Sequence, residues 1–138
     1  MSYANPEYLL AKDVAYYLQL QYPDVLFRFD LNGLNLSKTQ AGMNKSIQKR
    51  KGFPDLEIFA GSGNKLQQVP QIWNGLLIEL KTEGTKLFLK DGKTYATPHL
   101  KEQAECHAQL VKAGYYACFA CGFDEVQMII DKYLGNRI

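Results

Sequence analysis

Two short apolar segments carry charges that a protein interior does not accept cheaply. Asp55-Leu56-Glu57-Ile58-Phe59 alternates acidic with apolar residues, and Gly75-Leu76-Leu77-Ile78-Glu79-Leu80-Lys81 is an apolar run broken only by Glu79 and Lys81. Both have the length and pattern of strands. A strand turns successive side chains to opposite faces. Asp55 and Glu57 therefore share one face, Glu79 and Lys81 share one with Leu77, and Leu56, Ile58, Ile78 and Leu80 fill the other. Strands consecutive in sequence are usually neighbours in space, and pairing these two gathers Asp55, Glu79 and Lys81 on one sheet surface. Three ionised groups on core strands are costly unless they pair or bind a metal. Glu57, one pleat further from the other strand's charges, is expected at a solvent edge.

The remaining elements follow from caps and periodicity. Asn5-Pro6-Glu7 reads as the start of a helix, and Leu10, Val14 and Leu18 give it one buried stripe beside Tyr17. Val25–Phe29 alternates as a strand ending at Asn32-Gly33. Ser37 begins a short helix in a polar, basic stretch. Gly61-Ser62-Gly63-Asn64 is a turn. Thr97-Pro98 opens a helix running to about Ala113, with Leu100, Ala104, His107 and Val111 on one face and Gly114 as its stop. Tyr115–Cys121 is a buried strand, and Asp124 opens a last helix bearing Val126, Ile129, Ile130 and Tyr133. The order is α-β-(α)-β-β-α-β-α, an α/β arrangement with one mixed sheet flanked by helices. At 138 residues and 46% apolar, the chain is expected to form a single domain over 1–138. It has neither the composition of a disordered chain nor an apolar run long enough to span a bilayer. The start MSYANPEYLL lacks the pattern of a secretory signal, so a soluble, cytoplasmic protein is expected.

Two carboxylates on one sheet surface are hard oxygen ligands suited to Mg²⁺ or Mn²⁺, ions that keep waters and accept phosphate oxygens. An adjacent lysine positions the attacking water and neutralises charge on a phosphorus centre. Lysine's reference value of about 10.4 means a general-base role would need strong depression, so positioning and electrostatics are expected before proton abstraction. The net charge is only +2, but from Lys38 to Lys93 there are ten basic residues against five acids, and Lys38–Lys51 holds five cations and no acid. Lys45, Lys49, Arg50 and Lys51 precede Asp55, while Lys86, Lys90 and Lys93 follow Lys81. Both groups are expected to border the acidic site and contact a nucleic-acid backbone without reading its sequence.

Gly52-Phe53-Pro54-Asp55-Leu56, Leu77-Ile78-Glu79-Leu80-Lys81-Thr82, Gln103 in the following helix and Gly114 before an apolar strand together resemble the VRR-NUC (virus-type replication-repair nuclease) family of the PD-(D/E)xK nuclease superfamily. The resemblance covers about residues 52–121, and the short length is similar to the stand-alone forms found in phages. It implies a restriction-endonuclease-like core and a metal-dependent endonuclease that hydrolyses phosphodiester bonds in structured DNA (junctions, flaps or nicks) during repair, recombination or phage replication. It implies that Asp55, Glu79 and the backbone carbonyl of Leu80 ligate the metal. Lys81 is then the motif lysine, Gln103 orients Lys81 or the scissile phosphate, and Glu7 corresponds to the acidic residue of the superfamily's first helix. Symmetric junction cleavage further implies a homodimer. The competing readings are a non-catalytic nucleic-acid-binding module on the same fold, an RNA-cleaving enzyme, and a restriction-type enzyme.

Other reactive residues point nowhere else. Cys118 and Cys121 sit in a strand, where an offset of three sends the sulfurs to opposite faces, so zinc binding is not expected and both read as small hydrophobes. Three cysteines give no disulfide framework. His107 falls on an apolar stripe as a core residue, and His99 lies near enough to the polar connection to reach phosphate.

Overall fold

The computed structural model describes residues 5–30, 37–48, 50–63 and 66–135. The expected turn at Asn32-Gly33, Asn64 of the second turn, and Lys49 lie outside the described residues. The elements are α1 (Pro6–Gln21), β1 (Leu26–Phe29), α2 (Lys38–Ile47), β2 (Leu56–Phe59), β3 (Leu76–Lys81), α3 (Pro98–Lys112), β4 (Tyr116–Cys121) and α4 (Phe123–Leu134). This is the expected order, with the bracketed helix present.

Local chemistry sets most boundaries. The Asn5 side chain accepts from the Glu7 and Tyr8 N–H groups, Ser37 and Gln40 form a reciprocal capping box, and Thr97 accepts from Leu100 N–H. α4 differs from expectation. Its cap is Gly122, at φ +84°, with no side-chain bond, and Asp124 falls inside the first turn. The strand-to-helix bend requires a left-handed backbone there, which glycine adopts without strain.

The sheet is mixed, in the order β1-β2-β3-β4. β1–β2 and β2–β3 are antiparallel, and β3–β4 is parallel, with α3 as the crossover. Helices cover both faces. Leu56, Ile58, Leu76, Ile78, Leu80 and Ala120 turn to one face and pack with Leu10, Val14 and Leu18 of α1 and Val126, Ile130 and Tyr133 of α4 in one buried cluster. The predicted stripes of α1 and α4 are thus the core. On the other face α3 covers β4, where the His107 and Phe119 rings meet at a tilt with centroids 4.6 Å apart. The buried face of α3 is Leu100, Gln103, Cys106 and His107. Of the other two expected there, Ala104 is only half-buried and Val111 is exposed. The helix is turned so that a glutamine faces the sheet. α2 buries none of its residues.

Candidate active site

Asp55 stands one residue before β2. The last β2–β3 pair is Leu56 with Ile78, and continuing that antiparallel register by one step sets Asp55 opposite Glu79. The Asp55 Oδ2 accepts the Leu80 N–H at 3.1 Å, and its backbone carbonyl accepts the Asp30 N–H at 2.7 Å. A side chain thus replaces the ladder where β2 ends, fixing the carboxylate against β3. Lys81 Nζ lies 3.6 Å from Glu79 Oε2. The three residues expected to converge do converge.

The electrostatics of this cluster are unfavourable as it stands. Glu79 is 4% exposed, and its Oε1 is buried without a hydrogen-bond partner. Burial holds its carboxyl far above the usual range, the Asp55 carboxyl within hydrogen-bonding reach adds to the rise, and Lys81 offsets only part. Two carboxyls sharing a site cannot both ionise cheaply, but a dication between them removes that conflict. The donor set suits such an ion. Gly122 N–H donates to the Lys81 carbonyl on the β4 side, so strand alternation turns the Leu80 carbonyl toward the β2 edge, the side on which its N–H meets Asp55. Two acids and a carbonyl, completed by water, match the hard-ion pattern. Among the described residues no three His, Cys, Asp or Glu side chains cluster closely enough to hold an ion by side chains alone.

The cluster lies in a cleft of about 790 Å³. Gln103 reaches it from α3, 5% exposed and with its Oε1 unpartnered. The approach is set by Gly52, at φ +89°, where a Cβ would stand 3.0 Å from the Glu102 carbonyl oxygen and 3.1 Å from the Gln103 Cα. Only glycine lets the 50–55 segment pass α3 this closely. Glu7, at the start of α1, lines the same cleft, as do Lys45, Arg50, Lys51 and His99. Lys49 lies outside the described residues, and Lys86, Lys90 and Lys93 are not part of the lining. The chain that carries them doubles back through the Phe88–Tyr95 bridge, whose ring centroids lie 4.8 Å apart, and Tyr95 packs on Phe119 of β4. Glu57, on the interior strand β2, pairs with Arg28 of the edge strand β1 at 2.8 Å. Among the lining residues that sequence reasoning missed are Asn44 and Gln48. Their four-residue spacing on one face of a capped helix is the signal that could have found them.

A solved structure described as a "VRR_NUC domain protein" matches this fold with a TM-score of 0.62 over 98% of this chain and 93% of its own, at 25% sequence identity. That likeness supports membership of the VRR-NUC family. No family model matches the sequence, and no curated protein matches it significantly. The likeness therefore rests on the whole fold, and a VRR-NUC neighbour suggests a nuclease family. Among the described residues no helix is long and apolar enough to cross a membrane.

Proposed function

We propose that this VRR-NUC domain is a divalent-metal-dependent DNA endonuclease that hydrolyses phosphodiester bonds. What carries the reading is the pairing of Asp55 and Glu79, with Lys81 beside them, at the floor of a cleft whose rim is basic. Asp55, Glu79 and the Leu80 carbonyl would hold Mg²⁺ or Mn²⁺, and Glu7, which lines the same cleft, would act as an outer ligand. When bound, such an ion supplies Lewis-acid stabilisation of the oxygens around phosphorus and lowers the pKa of water.

The chain's own residues do the rest. Lys45, Arg50 and Lys51 draw the phosphate backbone into the cleft and offset the repulsion of its acidic floor. Lys81, held by Glu79, keeps a positive charge where negative charge develops on the phosphoryl oxygens and orients the attacking water. Gln103 offers an amide beside Lys81 and fixes the lysine or the scissile phosphate by hydrogen bonding. These contacts go to backbone and not to base edges, so selection is by DNA structure. Junction, flap or nick processing in repair, recombination or phage replication fits that selectivity, and symmetric incision of a junction would use a homodimer.

The test is a panel of labelled flap, junction, nicked and linear DNA, with matched RNA, incubated with Mg²⁺ or Mn²⁺ beside Asp55→Asn. Metal-dependent cleavage of branched DNA, lost in the variant and in chelator, is expected. Equal binding with no cleavage in any lane would leave only a binding module.

A further inference from the structure

A second, smaller cavity of about 370 Å³ adjoins the cleft, between the end of α2 and the cross-strand Arg28–Glu57 pair of β1 and β2. Arg50 and Phe53 line both spaces and so stand at their junction. Phe53 is 42% exposed although it follows Gly52, pinned against α3, and precedes Pro54, which is fully buried. The anchored residues on either side hold its ring out over the boundary. The far wall is the Arg28–Glu57 pair, with Asp30 and Ile47 alongside. Asp30 and Glu57 balance Arg28 and Arg50, so this cavity does not attract phosphate as the main cleft does. A flat, neutral ring with hydrogen-bonding edges suits it better, and an aromatic face beside donors and acceptors is how unpaired bases are held.

We propose that this cavity takes an unpaired nucleobase stacked on Phe53, so that the domain favours DNA with an unpaired nucleotide beside the scissile phosphate. The proposal rests on the nuclease reading and supplies its substrate class. A duplex keeps its bases inside the stack. A bulge or a single-stranded flap has one free to turn out, at little unstacking cost.

The probe is a duplex carrying 2-aminopurine as a single bulged base, compared with the same duplex bearing an abasic bulge and with a fully paired duplex. Each is bound to the wild-type chain in Ca²⁺ and in EDTA. Stacking on Phe53 quenches 2-aminopurine emission on binding. Phe53→Trp keeps the quenching, while Phe53→Ala and Phe53→Leu lose it and bind the bulged duplex about tenfold more weakly with the paired duplex unchanged. The leucine variant, which keeps apolar bulk without a ring, separates stacking from packing. Retained quenching in Phe53→Leu, or equal affinity of the wild type for base-bearing and abasic bulges, overturns the proposal. Quenching without cleavage of any substrate in Mg²⁺ would instead overturn the nuclease reading alone.

Discussion

Glu79 shows how a single residue trades stability for chemistry. Its buried, unpartnered Oε1 and the neighbouring Asp55 make the ionised form costly without a metal. Glu79→Gln keeps the shape and removes the charge, leaving Asp55 to balance Lys81. Without divalent metal this variant should be more stable than the wild type at pH 7 by about 1–2 kcal/mol, read as a higher denaturant midpoint. Cleavage should fall by more than about 100-fold, since even outer partners of metal ligands cost up to that much. A lower midpoint in metal-free buffer would show that the carboxylate is already well satisfied. His107 carries the opposite sign. Burial, then the nearby positive charge of Lys81, lowers its pKa from 6.5 to about 4, and its Nε2 has no partner. The neutral ring is the form that the fold accepts. Its contribution is complete above the unfolded value near 6.5 and is lost as pH falls from there toward 4, up to about 3 kcal/mol. His107→Phe should flatten the fall in stability across that window, and an unchanged acid limb would place the sensitivity elsewhere.

At the scale of elements, local signals and long-range placement separate cleanly. Asn5, Ser37 and Thr97 are legible as caps because capping is decided within four residues. The strands that meet at Asp55 and Glu79 are legible because alternation is equally local. The face of α3 is not. Choosing Gln103 and Cys106 over Ala104 and Val111 depends on how the helix rolls over β4, and the sequence alone does not contain that angle. Nor does nearness to Lys81 in sequence make Lys86, Lys90 and Lys93 part of the cleft lining, because the excursion that carries them doubles back on itself at the Phe88–Tyr95 bridge. α2 is the converse case. It buries nothing, yet it brings Asn44, Lys45 and Gln48 to the cleft wall. Replacing Lys45, Arg50 and Lys51 together with glutamine should therefore leave thermal stability nearly unchanged. It should reduce the slope of log affinity against log salt by about 3, roughly 0.9 for each phosphate no longer neutralised. The same treatment of Lys86, Lys90 and Lys93 should change the slope less, and an equal change would mean that DNA runs across both surfaces.

Across the whole molecule the sheet divides labour between its faces. One face is a continuous apolar core under α1 and α4, and the other is given over to α3, the acidic pair and the cleft. α1 belongs to both, since its Leu10, Val14 and Leu18 stripe lies in the core while Asn5 and Glu7 at its start line the cleft. What fixes α1 against α4 is Asp131, whose Oδ1 accepts from the hydroxyls of Tyr17 and Tyr22, each at 2.6 Å. Burial and these bonds to Asp131 raise both phenols, so they stay protonated and donate throughout the working range. Asp131→Ala strands two donors at once and should cost about 2–4 kcal/mol, because bonds to a charged acceptor are the stronger kind. For a chain of this size that lowers the melting temperature by about 10 °C. Because Asp131 lies behind the sheet, salt dependence and cleavage measured well below that temperature should match the wild type. A loss of cleavage in fully folded Asp131→Ala would show that the first helix's grip on the core also sets the position of Glu7, so that the two faces are mechanically one.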